Sequence, residues 1–265
     1  MIHNDHVQRS QRQKLIIRSV ESGLRSVEDL VTLTGASAIT VRRDLAELSE
    51  RGAVQRVRGG AAPVPSRGAR YPFELRQAEH APTKRALAGA AAGLVEPGDC
   101  VLIDNGTTAL AVARELSGRG VTALALSLHA AAALASRPGD QVIVPGGPVG
   151  HDDLSFAPAD AERAIRDMRF DWAFVGSCAA RFDTGLTVAD WGEAQVKRAV
   201  LASARRTVLV AAGDKFARTA AHRFGDLVDL DAIVTTSDAP QDTVSEASAL
   251  GVTIITAEAV EDDAE

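Results

Sequence analysis

The sequence predicts an α/β protein in two parts, a small helical unit closed by a hairpin and then a larger domain built on a parallel sheet. Three observations carry this expectation. Charge is divided unevenly: residues 1 to 70 hold 12 basic and 7 acidic side chains, a balance of +5, while the other 17 basic and 28 acidic side chains give −11. Apolar residues in the first segment fall at helical spacing between glycine turns. From about residue 100 onward, short strand-like runs alternate with helical segments rich in Ala and Leu, the pattern of a parallel sheet flanked by helices.

With 265 residues, 46 % hydrophobic and 24 % charged, the chain can bury two cores. No apolar run approaches the ~20 residues of a membrane helix, and the N-terminal MIHNDHVQRSQRQK lacks an apolar signal core. Cys100 and Cys178 sit in apolar runs without metal-ligand spacing. We therefore expect a cytoplasmic protein with no membrane partner, metal or cofactor.

The first helix runs from Arg12 to Val20, carries Leu15, Ile16 and Val20, and ends at Ser22-Gly23. Ser26 followed by Asp29 opens a second through a capping box, with Val27, Leu30, Val31 and Leu33 along it and Thr34-Gly35 as its turn. The third begins after Ser37, buries Val41, Leu45 and Leu48, and has Gly52 just past its end. This is a helix-turn-helix. At 100° per residue Ile39, Thr40, Arg42 and Arg43 occupy the sides and outer face near the start of the third helix, the part that enters a major groove. AVQRVRGGAAPV then supplies apolar Val54 and Val57, polar Gln55, Arg56 and Arg58, and Gly59-Gly60, the makings of a hairpin wing. Two helices, a glycine turn, paired arginines and a basic wing together point to DNA.

The stretch from Ser26 to Ala61, above all TVRRDLAELSERG and RGGA, resembles the winged helix of the DeoR family of bacterial transcriptional regulators. The resemblance implies operator DNA as a partner, contacted by Thr40, Arg42, Arg43, Arg56 and Arg58. Ser37 and Ile39, at the start of the same helix, complete the candidate DNA contacts. Ile39 departs from the family, which commonly has a polar or charged residue there, so the operator sequence does not carry over.

PVPSRGARYP, residues 63–72, has the composition of an extended linker. The expected domains are thus 1–62, the winged helix-turn-helix; 63–72, the linker; and 73–265, the parallel-sheet domain with an acidic tail. Strand-like runs lie at 100–104, 121–126, 141–144, 171–176, 206–212 and 231–236. Ligands of such a sheet belong at the carboxyl ends of its strands. Four loops there carry glycine and polar residues: DNGTT, PGGPVGHDD, GSCAARFDTGLT and AAGDKF. In the first, Asp104-Asn105-Gly106 turns into a helix opened by Thr107 and Thr108, which suits either an anion on free N–H groups or ordinary capping.

This half also resembles the DeoR family, whose effector domain is similar in fold to ribose-5-phosphate isomerase and the coenzyme A transferases and typically senses a sugar phosphate. The similarity extends to about Asp238, leaving the acidic tail. It implies that Gly106, Thr107 and Thr108 hold a phosphate and that Lys215 adds a counter-charge. It also matches Gly185-Leu186-Thr187, Asp190, Glu193-Ala194 and Lys197-Arg198. The expected effector site is Asp104, Asn105, Gly106, Thr107, Thr108, Ser127, Gly146, Gly147, Asp190, Glu193, Lys197 and Lys215.

The resemblance implies that most departures fall where sugar hydroxyls would be met, so phosphate recognition is the better supported and the organic part of the ligand is expected to be less polar or different altogether. Ala125-Leu126-Ser127 replaces the family's Thr-Asn-Ser, Gly176-Ser177-Cys178-Ala179 replaces Gly-Ala-Asp-Gly, and Ala212 stands for an Asp. The Arg often following the glycine pair is absent from GGPVG. An isomerase needs a carboxylate base in its site, and Cys178 as a nucleophile would need an activating His that no spacing supplies. His129 and His151 read as loop or capping residues. The expectation is a regulator, a repressor of a carbohydrate or related operon without catalytic residues, acting as a homodimer or tetramer because two-fold operators need two reading heads. The alternative is a sugar-phosphate isomerase or transferase with an accessory DNA-binding segment.

Overall fold

The computed structural model describes residues 9, 11–13, 15–17, 19–20, 23–50, 53–62 and 73–258, the side chain of Leu75 excepted. It divides into two compact units, Met1–Arg76 and Gln77–Glu265. The expected linker, 63–72, and the helix-ending residues Ser22 and Gly52 lie outside the described residues.

In the first unit every described position between 9 and 20 is helical. Strand β1 (Arg25–Ser26) leads into α1 (Val27–Thr34), α2 (Ala38–Glu50) and the hairpin β2 (Gln55–Val57) and β3 (Gly60–Ala62). The Ser26–Asp29 capping box closes reciprocally at the start of α1, and Gly35 ends it in the left-handed conformation with φ 66°. Ile16, Ile17, Val20, Leu30, Val41, Leu45 and Leu48 are buried together. Ile17 takes the inward place beside Ile16, while Leu15 is exposed. Asp44 is buried on α2 and is satisfied by Arg12 Nε at 2.6 Å and by Gln13 Nε2 at 3.4 Å.

The hairpin folds back so that β3 pairs with β1 as well as β2, both antiparallel. The close approach explains one of its two glycines. A Cβ on Gly60 would stand 2.0 Å from the Arg25 carbonyl oxygen, whereas Gly59 is needed for its φ of +84°.

The second unit opens with α3 (Phe73–Ala78), which begins before the division, and α4 (Ala81–Ala92). It then alternates: β4 (Cys100–Ile103), α5 (Thr107–Leu116), β5 (Thr122–Ala125), α6 (Leu128–Leu134), β6 (Gln141–Ile143), α7 (Pro158–Arg166) and β7 (Trp172–Val175). After the short strands β8 (Ala179–Arg181) and β9 (Gly185–Val188) come α8 (Trp191–Ser203), β10 (Thr207–Val210), β11 (His222–Gly225) and β12 (Ala232–Thr236). The last elements are α9 (Gln241–Ala249) and β13 (Thr253–Ala257).

Seven strands form one parallel sheet in the order β13-β12-β10-β7-β4-β5-β6. Alternate residues of each strand go to opposite faces. Leu102, Leu124, Val175, Leu209 and Ile233 pack with Ile165, Ala194, Val200 and Ala247 of α7, α8 and α9. Val101, Ile103, Ala123, Phe174 and Val234 pack with Leu87, Val112 and Leu134 of α4, α5 and α6. Burial on both faces is why these strands read as continuous apolar runs.

Two features depart from expectation. The chain beyond Asp238 is not a tail as far as it is described: α9 and β13 add a helix and a parallel edge strand, since Ile254 and Ile255 pair with Ile233 and Val234. The GSCAARFDTGLT loop holds β8 and β9, which form an antiparallel sheet with β11 in the order β11-β9-β8.

Candidate effector site and nucleic-acid interface

From β4 the chain steps outward to β5 and β6, then returns to place β7 on the other side of β4 and continues to β10, β12 and β13. The order reverses between β4 and β7. At such a switch point the loops leaving two neighbouring strands diverge and open a crevice at their carboxyl ends. Asp104–Thr108 leaves β4 and Gly176–Cys178 leaves β7 there.

Gly106 is the N-cap of α5, with φ 101° and ψ 172°, and no side chain caps the helix. A residue with a Cβ is strained at that φ, although the Cβ itself would meet nothing within 4 Å. The first intrahelical bond is Leu110 N–H to Gly106 O at 3.0 Å, so the N–H groups of Thr107, Thr108 and Ala109 are left as open donors. Among the described residues neither threonine hydroxyl has a hydrogen-bond partner. The threonines follow the cap position, which Gly106 occupies, and neither acts as the cap.

Beneath this turn lies a buried charge cluster. Lys197 Nζ donates to Asp104 Oδ2 and lies 3.5 Å from Glu193 Oε1. Gly176 N–H donates to the same Asp104 oxygen at 2.9 Å. Asp104 and Lys197 are each only 1 % exposed. Burial pulls the Lys197 ammonium toward neutrality, but the Asp104 and Glu193 carboxylates outweigh it and raise its pKa above the usual lysine value. Lys197 thus stays charged. Glu193 is shifted upward mainly by burial, against the opposing pull of Lys197. Asp104 and Lys197, each buried, tie the β4 loop to α8 and to the Gly176 amide that follows β7.

The remaining expected residues distribute unevenly. Asp190 is the N-cap of α8, accepting from Glu193 N–H at 3.1 Å, and so fixes the turn that carries Glu193. Ser127 is 1 % exposed and caps α6 by accepting from Ala130 N–H at 3.2 Å, which takes its hydroxyl into the framework. Lys215 lies in the 3₁₀ turn Gly213–Ala217, 3.8 Å from Asp214 Oδ2, and its charge acts on the Cys178 thiol. Gly146 and Gly147 both have positive φ after β6, where a Cβ on Gly147 would meet the Asp160 carboxylate at 2.3 Å. They shape a loop at the edge of the sheet.

That loop delivers a residue the sequence reading passed over. It folds back through the bridges Val149–Phe156 and Ser127–Ser155, which puts Asp153 Oδ2 3.5 Å from Asn105 Nδ2. The Asp153 charge also reaches Glu193. Ser177, which the sequence offered only as a departure from the family, has a buried Oγ with no partner among the described residues. Burial, then the Glu193 charge, push the Cys178 thiol up, so it is not a thiolate nucleophile at neutral pH. His129 lies within α6. Among the described residues no group of His, Cys, Asp or Glu could hold a metal, and no helix is long and apolar enough to cross a membrane.

On the first unit, Ser37 Oγ accepts from Thr40 N–H at 3.2 Å and lies 2.9 Å from Thr40 Oγ1, which rigidifies the start of α2. Ile39, Arg42, Arg43, Arg56 and Arg58 are all exposed. Each arginine is free to meet a phosphate or a base edge. Val57, on the wing, is exposed as well.

A winged helix-turn-helix with an exposed basic face, followed in one chain by a parallel-sheet unit with an anion-suited switch point, defines a DNA-binding regulator controlled by a small ligand. Comparison with known proteins agrees. Residues 12–67 match the model of the DeoR-like helix-turn-helix domain and residues 79–237 that of the DeoR C-terminal sensor domain. The HTH-type transcriptional regulator GlpR of Haloferax volcanii is 31 % identical over 93 % of this chain and 97 % of its own. The glycerol-3-phosphate regulon repressor of Haemophilus influenzae is 34 % identical over 90 % and 93 %. Ribose 5-phosphate isomerase A of Methanocaldococcus jannaschii aligns over 52 % of this chain and 55 % of its own, with a TM-score of 0.37 and 20 % identity. The chain belongs to the DeoR family of transcriptional regulators. The resemblance drawn from TVRRDLAELSERG, RGGA and DNGTT is borne out, and with it the reading as a regulator rather than an isomerase.

Proposed function

We propose that this regulator is a cytoplasmic repressor of an operon for a phosphorylated carbohydrate, and that a sugar phosphate bound at the switch point releases it from its operator. The observation that carries the site is the uncapped start of α5, where the N–H groups of Thr107, Thr108 and Ala109 and two threonine hydroxyls are all unengaged. A helix N-terminus of this kind favours an anion through both hydrogen bonds and the helix dipole. Lys215 supplies the counter-charge. Asp153 and Glu193, acceptors at the same crevice, suit the hydroxyls of a sugar, so the polar groups lost at Leu126, Cys178 and Ala212 are partly replaced from elsewhere. Named repressors among the relatives support the direction of control. Two-fold operators call for at least a dimer.

A thermal-shift screen of sugar phosphates beside their parent sugars tests this reading, followed by operator gel shifts with each hit. The phosphate should account for orders of magnitude in affinity, because charge-assisted hydrogen bonds contribute ~1.5–3 kcal/mol each. Gly106→Val, strained at φ +101° and placing a side chain over the donors, should abolish release while leaving operator binding intact. Equal binding of sugar and sugar phosphate, or release by the Gly106→Val protein, would refute the cradle.

A further inference from the structure

The start of α2 carries an apolar side chain that the head does not use for folding. Ile39 is 79 % exposed. The other large apolar residues of α2, namely Val41, Leu45 and Leu48, are buried at 0–2 % exposure. At 100° per residue Ile39 stands about 160° from Val41, almost opposite the buried stripe. Arg42 and Arg43, three and four residues on, flank it on either side of the same exposed face, and Ala46 follows one turn further. The helix start bearing Ile39 is held in place by the Ser37–Thr40 hydrogen bonds, so the side chain projects from a fixed backbone.

We infer that Ile39 reads the 5-methyl group of a thymine in the operator and so is a specificity-determining residue of the head. The inference rests on the reading of α2 as the helix that enters the major groove. In that groove thymine is the one standard base that offers an apolar group, and an apolar side chain is what recognises it. A branched aliphatic residue cannot hydrogen-bond a base edge, nor can it attract a phosphate. Its exposure costs nothing to the fold and gains something only when an apolar surface covers it. The flanking guanidiniums have the opposite chemistry, donating to guanine edges or phosphates. The outer face of α2 therefore presents an apolar point between two cationic ones, which fits a thymine beside one or two guanines or phosphates.

The experiment selects the preferred duplex from a randomised pool with the full-length protein, then replaces each thymine in it, one at a time, by uracil, which lacks only the methyl group. One such replacement should weaken wild-type binding about fourfold, the equivalent of one buried methyl group. Ile39→Ala should lose a similar factor on the thymine duplex and be indifferent to that same replacement. Ile39→Val, which keeps a branched methyl, should retain most of the discrimination. An exposed position makes these variants safe for folding, and unchanged melting of the head confirms it. Wild-type binding that is insensitive to every uracil, or a thymine preference that survives unchanged in Ile39→Ala, overturns the inference alone. Failure to select any preferred duplex overturns it together with the reading of α2.

Discussion

Lys197→Met tests how the site is built. Lys197 and Asp104 are each 1 % exposed, so the substitution leaves a carboxylate buried with the Gly176 N–H, at 2.9 Å, as its only remaining strong donor among the described residues. Removing one partner of a buried pair typically costs ~3–5 kcal/mol, because the other charge stays desolvated and uncompensated. For a domain of this size about 2–4 °C of melting temperature accompanies each kcal/mol, so the sensor unit should melt roughly 6–20 °C lower. Adding Asp104→Asn removes the stranded charge yet keeps a carbonyl oxygen for the Gly176 N–H. The double variant should recover at least half of the loss. Calorimetry and urea denaturation of the wild type, both single variants and the double variant give the coupling directly. The reasoning fails if Lys197→Met costs under ~1 kcal/mol, or if the two changes are merely additive.

Three further outcomes are expected. Glu193 has a raised pKa in the fold, so the unfolded chain ionises first as pH climbs past 4.5; stability should fall from there until the folded carboxyl also loses its proton, and Glu193→Gln should flatten that stretch of the stability–pH curve. Gly60→Ala forces a carbon to within 2.0 Å of the Arg25 carbonyl oxygen, so the β1–β3 pairing should open, costing ~1–3 kcal/mol or more in the head and weakening operator binding, while calorimetric ligand binding by the sensor unit stays unchanged. Arg42→Ala or Arg43→Ala should cost ~1–3 kcal/mol on the preferred duplex if either meets a base, whereas Arg56→Ala and Arg58→Ala should weaken all duplexes and each reduce the salt slope by about one in titrations at several ionic strengths.

Much of the architecture is legible in the chain because its signals are local. Ser26 and Asp29 announce a helix start three residues apart, Gly35 its end, and the six expected runs locate six of the seven sheet strands to within two residues at each end. β13 was hidden by its setting: Thr253–Ala257 is a sheet edge with only Ala257 buried, and it runs straight into the acidic C-terminal residues, so it reads as tail. The β8–β9 hairpin was hidden because Arg181, Asp183, Thr184 and Gly185 break its apolar residues into pieces that read as one polar loop. At the site, DNGTT was legible as a turn into a helix, but that Gly106 rather than a threonine takes the cap position of α5 shows only in the backbone.

What the sequence by itself determined about this protein is therefore the set of elements, the two-part plan and the family, since helical spacing, capping residues and glycine turns are written within a few residues of where they act. Tertiary structure alone decided which groups meet. Asp104 and Lys197 are 93 residues apart, and Arg12 and Asp44 are 32 apart. Asp153 reaches Asn105 from the far side of β5 and β6. Nothing in local spacing encodes such pairings, because they arise from the order in which strands enter the sheet. Only the reversal between β4 and β7 brings the DNGTT turn, the Gly176 amide and the buried lysine to one place. Burial, in turn, is a property of the assembled sheet: it encloses the Asp104–Lys197 pair at 1 % exposure beneath the turn.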